Sequence, residues 1–244
     1  MGMQAVSESL LVERPVEEVW RAWTDPAWLA GWHAERVEGA IDAGRAIQLH
    51  WDSLGIAIEL DVVALDPPRR LVLRGAPPGR PPQTLTITLS GTENGTALAI
   101  QHEGLASEEE RAGTAAGWHV AARVLAHYLA HHAGRPRRCA AALAPVAASL
   151  ADIEPLFAHP SWLLAGEETV LASALPRQIA LAVEGGSGIV VLRAIALEPG
   201  AALVGALAWS WEAERPEYAR LVSELEPAVA RLVTALGGSG GGAA

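Results

Sequence analysis

Among the eight histidines of this 244-residue sequence, His102 has the spacing most suited to chemistry. It alternates with Ile100 and Leu98 in a segment of period two, which puts all three side chains on one face. An inward histidine can orient a ligand or carry a proton, because its ordinary pKa lies near neutrality. With no acidic partner apparent in the pattern, it reads equally as a hydrogen-bonded core residue. His127 and His131 stand four apart on a helical pattern with His132 adjacent, so two imidazoles share one face and could reach one metal. No third ligand accompanies them, and histidines near a helix C-terminus also suit its negative end. Glu59 and Asp61 fall opposite Ile58 and Leu60, as solvent carboxylates and not a catalytic pair. The single Cys139 excludes an intrachain disulfide and a multi-cysteine zinc site. Gly237-Gly238-Ser239-Gly240-Gly241 spells a nucleophile elbow but lies in a low-complexity tail, not between a strand and a helix. The expectation is therefore no catalytic residue, no metal and no cofactor.

Composition narrows the partners. Half of the residues are hydrophobic and 19% are charged, which describes a packed globule and excludes disorder along most of the chain. The net charge is −10, every cation is Arg, and without Lys there is no P-loop. Such a chain lacks the basic face that nucleic acid or an anionic membrane attracts. Arg135, Arg137 and Arg138 form the one basic cluster and read as a solvated linker. Glu8 and Glu13 interrupt the start, so no secretory signal is read and the cytoplasm is the expected location. The longest uncharged stretches are too short to span a bilayer as helices.

Those side chains need elements to hold them. Ala5 to Val12 reads as an opening strand. Val16, Val19, Trp20 and Trp23 then recur at helical spacing behind Pro15, and Asp25 can cap a second short helix opening at Pro26. The period changes to two through Ile47, Leu49 and Trp51, through Ile56 to Val62, and through Leu85, Ile87 and Leu89. Glu93-Asn94-Gly95-Thr96 closes a hairpin onto Leu98 to His102. Glu108 to His132 is the longest helical pattern, capped by Ser107 and long enough to cross the apolar face of an antiparallel sheet. Gly134-Arg135-Pro136 ends it.

The order then partly repeats. Pro26-Ala27-Trp28-Leu29 returns as Pro160-Ser161-Trp162-Leu163, followed by a hairpin from Gln178 to Leu197 turning at 184–188, a strand Ala202 to Trp211 and a helix from Pro216 to about Leu236. The division expected is a first domain at 1–138, a smaller α+β half-domain at 139–236 that is a degenerate repeat short of about two strands, and a flexible tail at 237–244.

Strand, two helices, antiparallel sheet and long closing helix is the order of a helix-grip fold of the α+β class. Glu13-Arg14-Pro15-Val16-Glu17-Glu18-Val19-Trp20-Arg21-Ala22-Trp23-Thr24-Asp25-Pro26 resembles the opening of the START-like SRPBCC superfamily, and within it proteins similar to the activator of heat-shock protein 90 ATPase. Gly95-Thr96-Ala97-Leu98, His102-Glu103-Gly104-Leu105 and Gly117-Trp118 agree with that likeness. It covers residues 5 to 134, and the stretch from Ile47 to Leu60 departs from it by lacking a glycine-and-aromatic run. The resemblance implies a curved sheet wrapped on the long helix with a cavity between them. Trp51, Ile58, Leu60, Leu85, Ile87, Leu98, Ile100, His102, Trp118 and Leu125 are the expected lining, for a small hydrophobic ligand. The same side chains would also make a filled core. A non-enzymatic ligand-binding protein is the leading expectation. The alternatives are a co-chaperone-like module that binds a chaperone or another protein in a stress response, and an enzyme similar to polyketide cyclases, for which the convergent polar groups are lacking.

Overall fold

The computed structural model describes residues 4–77, 79–160, 169–183, 188–212, 214 and 216–237. The chain separates into two compact units, Met1–Arg137 and Arg138–Ala244.

The first unit runs β1 (Gln4–Val12), α1 (Val16–Thr24), α2 (Pro26–Trp32), β2 (Arg36–Glu38), β3 (Ala46–Trp51), β4 (Ile56–Asp66), β5 (Arg70–Gly75), β6 (Gln83–Thr92), β7 (Gly95–Leu105) and α3 (Glu108–His131). Its seven strands lie in the order β1-β7-β6-β5-β4-β3-β2, and every pairing is antiparallel. Local signals set the joints. The Asp25 carboxylate accepts from the backbone N–H of Ala27 and Trp28 and so caps α2 beside Pro26. Ser107 caps α3 through the N–H of Glu110, with three glutamates in the first turn. Gly95 turns the β6–β7 hairpin at φ +134°, where a Cβ would come within 2.2 Å of the Val12 carbonyl oxygen.

Register puts Val62, Leu73, Leu85 and His102 in one cross-strand row, and Leu71, Ile87 and Ile100 in the next. These rows form the inner face. α3 lies along β1 and touches β7, α1 rests on β6 and β7, and α2 rests on β2. Helix meets helix at Gly31, where a Cβ would sit 2.5 Å from the Tyr128 hydroxyl oxygen, so α2 approaches α3 as closely as the backbone allows.

The second unit runs β8 (Arg138–Val146), α4 (Leu150–Ala158), β9 (Thr169–Ala174), β10 (Gln178–Ala182), β11 (Gly188–Glu198), β12 (Ala201–Ser210) and α5 (Pro216–Ala235). Its five strands are ordered β8-β12-β11-β10-β9. As in the first unit, the opening strand pairs with the closing one and the sheet steps back from there, with α5 packed on β8 and β12. Both units thus have helix-grip topology, the second a shortened repeat. Strands β8 and β9 go beyond the sequence reading. The echo at Ser161-Trp162-Leu163 and residues 184–187 of the second hairpin's turn lie outside the described residues. Ile153, Phe157, Leu192 and Leu225, each at most 2% exposed, centre the hydrophobic core here.

Candidate functional site

Side chains with chemical potential gather in the first unit, where α2 ends. Arg137, read from sequence as part of a solvated linker, is instead half-buried and donates to the carbonyls of Trp32, His33 and Ala34 at 2.9, 3.0 and 2.7 Å. Those carbonyls have no partner inside the helix, and a guanidinium suits the negative end they create. The His33 carbonyl also accepts from Trp51 Nε1 at 3.1 Å. Nearby, the Glu35 carboxylate accepts from both the backbone N–H and the hydroxyl of Ser53.

With its backbone pinned, the His33 ring sits among indoles. It stacks on Trp118 at 5.4 Å with planes 15° apart, meets Trp51 edge-on at 5.4 Å and lies 5.0 Å from Trp32. Trp23 completes the cluster, 4.8 Å from Trp32 in a T-shaped contact and 6.1 Å from Trp118. Burial, with a smaller push from the Arg137 charge, lowers the His33 pKa to about 3, so the ring is neutral at physiological pH.

A directional hydrogen-bond chain borders the cluster. Trp118 Nε1 donates to His102 Nδ1 at 3.0 Å, and His102 Nε2 lies 3.0 Å from Gln83 Oε1. An indole N–H can only donate, so Nδ1 accepts and the His102 proton resides on Nε2, pointing to Gln83. Gln83 Nε2 in turn donates to Glu110 Oε1 at 2.9 Å, and the other Glu110 oxygen accepts from the Ala106 N–H and faces Arg80 at 3.5 Å. Burial lowers the His102 pKa and outweighs the upward pull of Glu110. Both imidazole nitrogens are therefore engaged, and His102 orients Trp118.

The residues expected to line a cavity divide along the sheet. Ile87, Ile100 and Leu125 are 0–1% exposed and belong to packed core, as does Leu98. At the other end of the inner face, Trp51, Ile58, Leu60 and His102 retain accessible surface, and Leu85, Gln83 and Trp118 keep 7–9%. His33 is only half-buried by surface, although enough protein surrounds it to suppress its protonation. The sequence reading passed over His33, Gln83 and Glu110 and gave Arg137 no role beyond the linker. Glu110 had a visible signal as the third acidic residue behind the Ser107 cap, whereas the role of Arg137 depends on a meeting in space with α2.

Among the described residues, the remaining polar groups form no comparable cluster. His127, His131 and His132 have ring centroids 4.8–6.1 Å apart. Burial and the neighbouring imidazoles push His127 down to about 4. Among the described residues, no three or more His, Cys, Asp or Glu are arranged to hold a metal. Glu59 and Asp61 are exposed. Between β8 and α5 runs an open groove of about 480 Å³, lined by small and apolar side chains with Glu226 and Thr234. No helix among the described residues is long and apolar enough to cross a membrane.

A curved antiparallel sheet gripping a long C-terminal helix, with a histidine and indole cluster at one end, gives the first unit the helix-grip fold of the START-like SRPBCC proteins it resembles. More narrowly, residues 13–130 match the family described as Activator of Hsp90 ATPase homolog 1-like protein. The crystal structure of DynU16, a protein in the dynemicin biosynthetic locus, aligns over 96% of both chains at 19% identity and a TM-score of 0.50. A protein from Mesorhizobium loti aligns over 53% of this chain and 98% of its own, at 21% identity and a TM-score of 0.50. At these identities the likeness shows the fold alone, and for DynU16 it extends over both units. No curated protein matches the chain.

Proposed function

We propose that the chain is a non-enzymatic binding protein that holds a small hydrophobic ligand in the first unit, between the open end of the inner sheet face and the α2–α3 side. One observation carries this reading. The inner face is sealed around Ile87 and Ile100 but stays accessible around Trp51, Ile58, Leu60, His33 and His102. A mostly apolar recess with a few polar groups is the usual form of a small-molecule site.

The chemistry speaks against the cyclase-like alternative. A general base works best with a pKa near the operating pH, whereas His33 is held near 3 and His102 has both nitrogens committed. The interaction reading has its own support in the match of residues 13–130 to a family described by a chaperone activator. A thermal-shift screen of apolar and aromatic compounds tests the proposal. A ligand at a hundredfold excess over its dissociation constant stabilises the native state by about 2.7 kcal/mol. Failure of every compound to raise the melting temperature, together with a stabilising chaperone partner, would replace the ligand reading with the interaction reading.

A further inference from the structure

At the accessible end of the inner face, most polar side chains are spent on the protein itself. Trp51 Nε1 donates to the His33 carbonyl, Trp118 Nε1 donates to His102 Nδ1, and the other His102 nitrogen meets Gln83. The His33 ring is the exception. It is surrounded by the rings of Trp118, Trp51 and Trp32, and among the described residues neither of its nitrogens has a hydrogen-bond or ion-pair partner. Neither nitrogen is sealed from solvent, and the residue is half-buried. The ring lies 5.4 Å from Trp51, and Leu49, two residues back on the same face, pairs with Ile58. His33 thus borders the recess with nitrogens that an incoming molecule can reach. We propose, resting on the ligand reading above, that His33 selects the ligand, an uncharged hydroxylated aromatic compound whose hydroxyl hydrogen-bonds to the imidazole.

Each part of that description has a source in the site. The hydroxyl follows from the state of the ring. Burial, with the Arg137 charge behind it, keeps His33 neutral, so one nitrogen carries a proton and the other a lone pair. A hydroxyl satisfies either nitrogen, because it donates one proton and accepts through its oxygen, whereas a carbonyl answers only the N–H. Uncharged follows from the same neutrality. A carboxylate finds no imidazolium here, Arg137 already donates to the α2 carbonyls, and an anion desolvated without a partner is costly. Aromatic follows from the walls, since Trp51 and Trp118 keep accessible surface and rings gain from offset-stacked and edge contacts beyond their buried area.

The test uses naphthalene, 2-naphthol and 2-naphthoate, which share one ring system and differ in the polar group. Equilibrium dialysis should give a dissociation constant about tenfold lower for 2-naphthol than for naphthalene, as one hydrogen bond of ordinary worth implies. The naphthoate should bind no more tightly than naphthalene. His33→Phe keeps a ring in the cluster and removes both nitrogens, so it should equalise naphthol and naphthalene. Should that variant not fold, ¹⁵N spectra of the wild-type imidazoles decide: a His33 ring nitrogen should shift with 2-naphthol and not with naphthalene. Equal binding of those two compounds with no selective shift, a preference that survives in His33→Phe, or tightest binding of the naphthoate each overturns the assignment while leaving the ligand site standing. Binding of none of the three, nor of any member of the thermal-shift screen, overturns the ligand reading itself.

Discussion

Replacing His33 with Phe should remove a specific part of the acid sensitivity of folding. The wild-type ring is held neutral by burial, with a folded-state pKa of about 3 against 6.5 for the free side chain. Between those values the unfolded chain binds more protons than the native one, so stability is fully present above about pH 6.5 and declines as pH falls towards 3. By that linkage His33 costs the native state about 2 kcal/mol on going from pH 7 to pH 5. At roughly 4 °C per kcal/mol for a unit of this size, the melting temperature falls by roughly 8 °C from this group alone. Phe retains a ring to stack on Trp118 but takes up no proton. Urea unfolding of both proteins at pH 7 and pH 5 is the assay. The variant should gain about 2 kcal/mol relative to wild type on acidification, whatever its absolute stability. His127 and the carboxylates contribute equally to both proteins and cancel. A stability difference unchanged within about 0.5 kcal/mol would show that His33 titrates normally and that the cluster is not desolvated.

Further expectations test the supports of the site. Gly31→Ala should cost about 1–3 kcal/mol, because the added Cβ meets the Tyr128 hydroxyl at 2.5 Å; thermal unfolding measures it. Arg137→Ala removes three donor contacts from the end of α2 and should destabilise by about 2 kcal/mol, with a change in Trp fluorescence as the His33 backbone loosens. Trp118→Phe deprives His102 Nδ1 of its donor, so ¹⁵N spectra should change from a single Nε2–H tautomer to a mixture. Residues 1–138, with a complete sheet and closing helix, should unfold cooperatively when produced alone, as circular dichroism would show.

Most of the first unit was legible because its signals are local. Period-two runs with polar alternates, the Asp25 and Ser107 caps and the Asn94-Gly95 turn each settle their own stretch of chain. The second unit was less legible. Strand β8 carries four alanines in Arg138-Cys139-Ala140-Ala141-Ala142-Leu143-Ala144-Pro145-Val146, and these favour helix while pairing with β12 makes it a strand. At the site, the sequence placed His102 on the inner face, where hydrogen bonds to Trp118 and Gln83 now account for it. It did not reveal His33, whose importance arises from Trp32, Trp51 and Trp118 converging from α2, β3 and α3. Nor did it show that the expected lining divides into a packed end and an accessible end. Ile47, Leu49, Val62, Leu71 and Leu73 of β3 to β5 are 0–3% exposed, while Trp51, Ile58, Leu60 and His102 stay accessible on the same face.

If the accessible end of the inner face receives a ligand, filling that end must abolish binding. Ile58 and Leu60 are half-buried on β4, so Trp at either position can occupy the recess without displacing packed core, unlike the same change at Leu125, which is 0% exposed. The measurement is the melting temperature of wild type and Ile58→Trp with and without the tightest compound from the screen. A ligand-induced rise is expected in the wild type and its loss in Ile58→Trp, while the variant without ligand melts within a few degrees of the parent. An equal rise in both proteins would place the ligand outside the accessible end of the inner face.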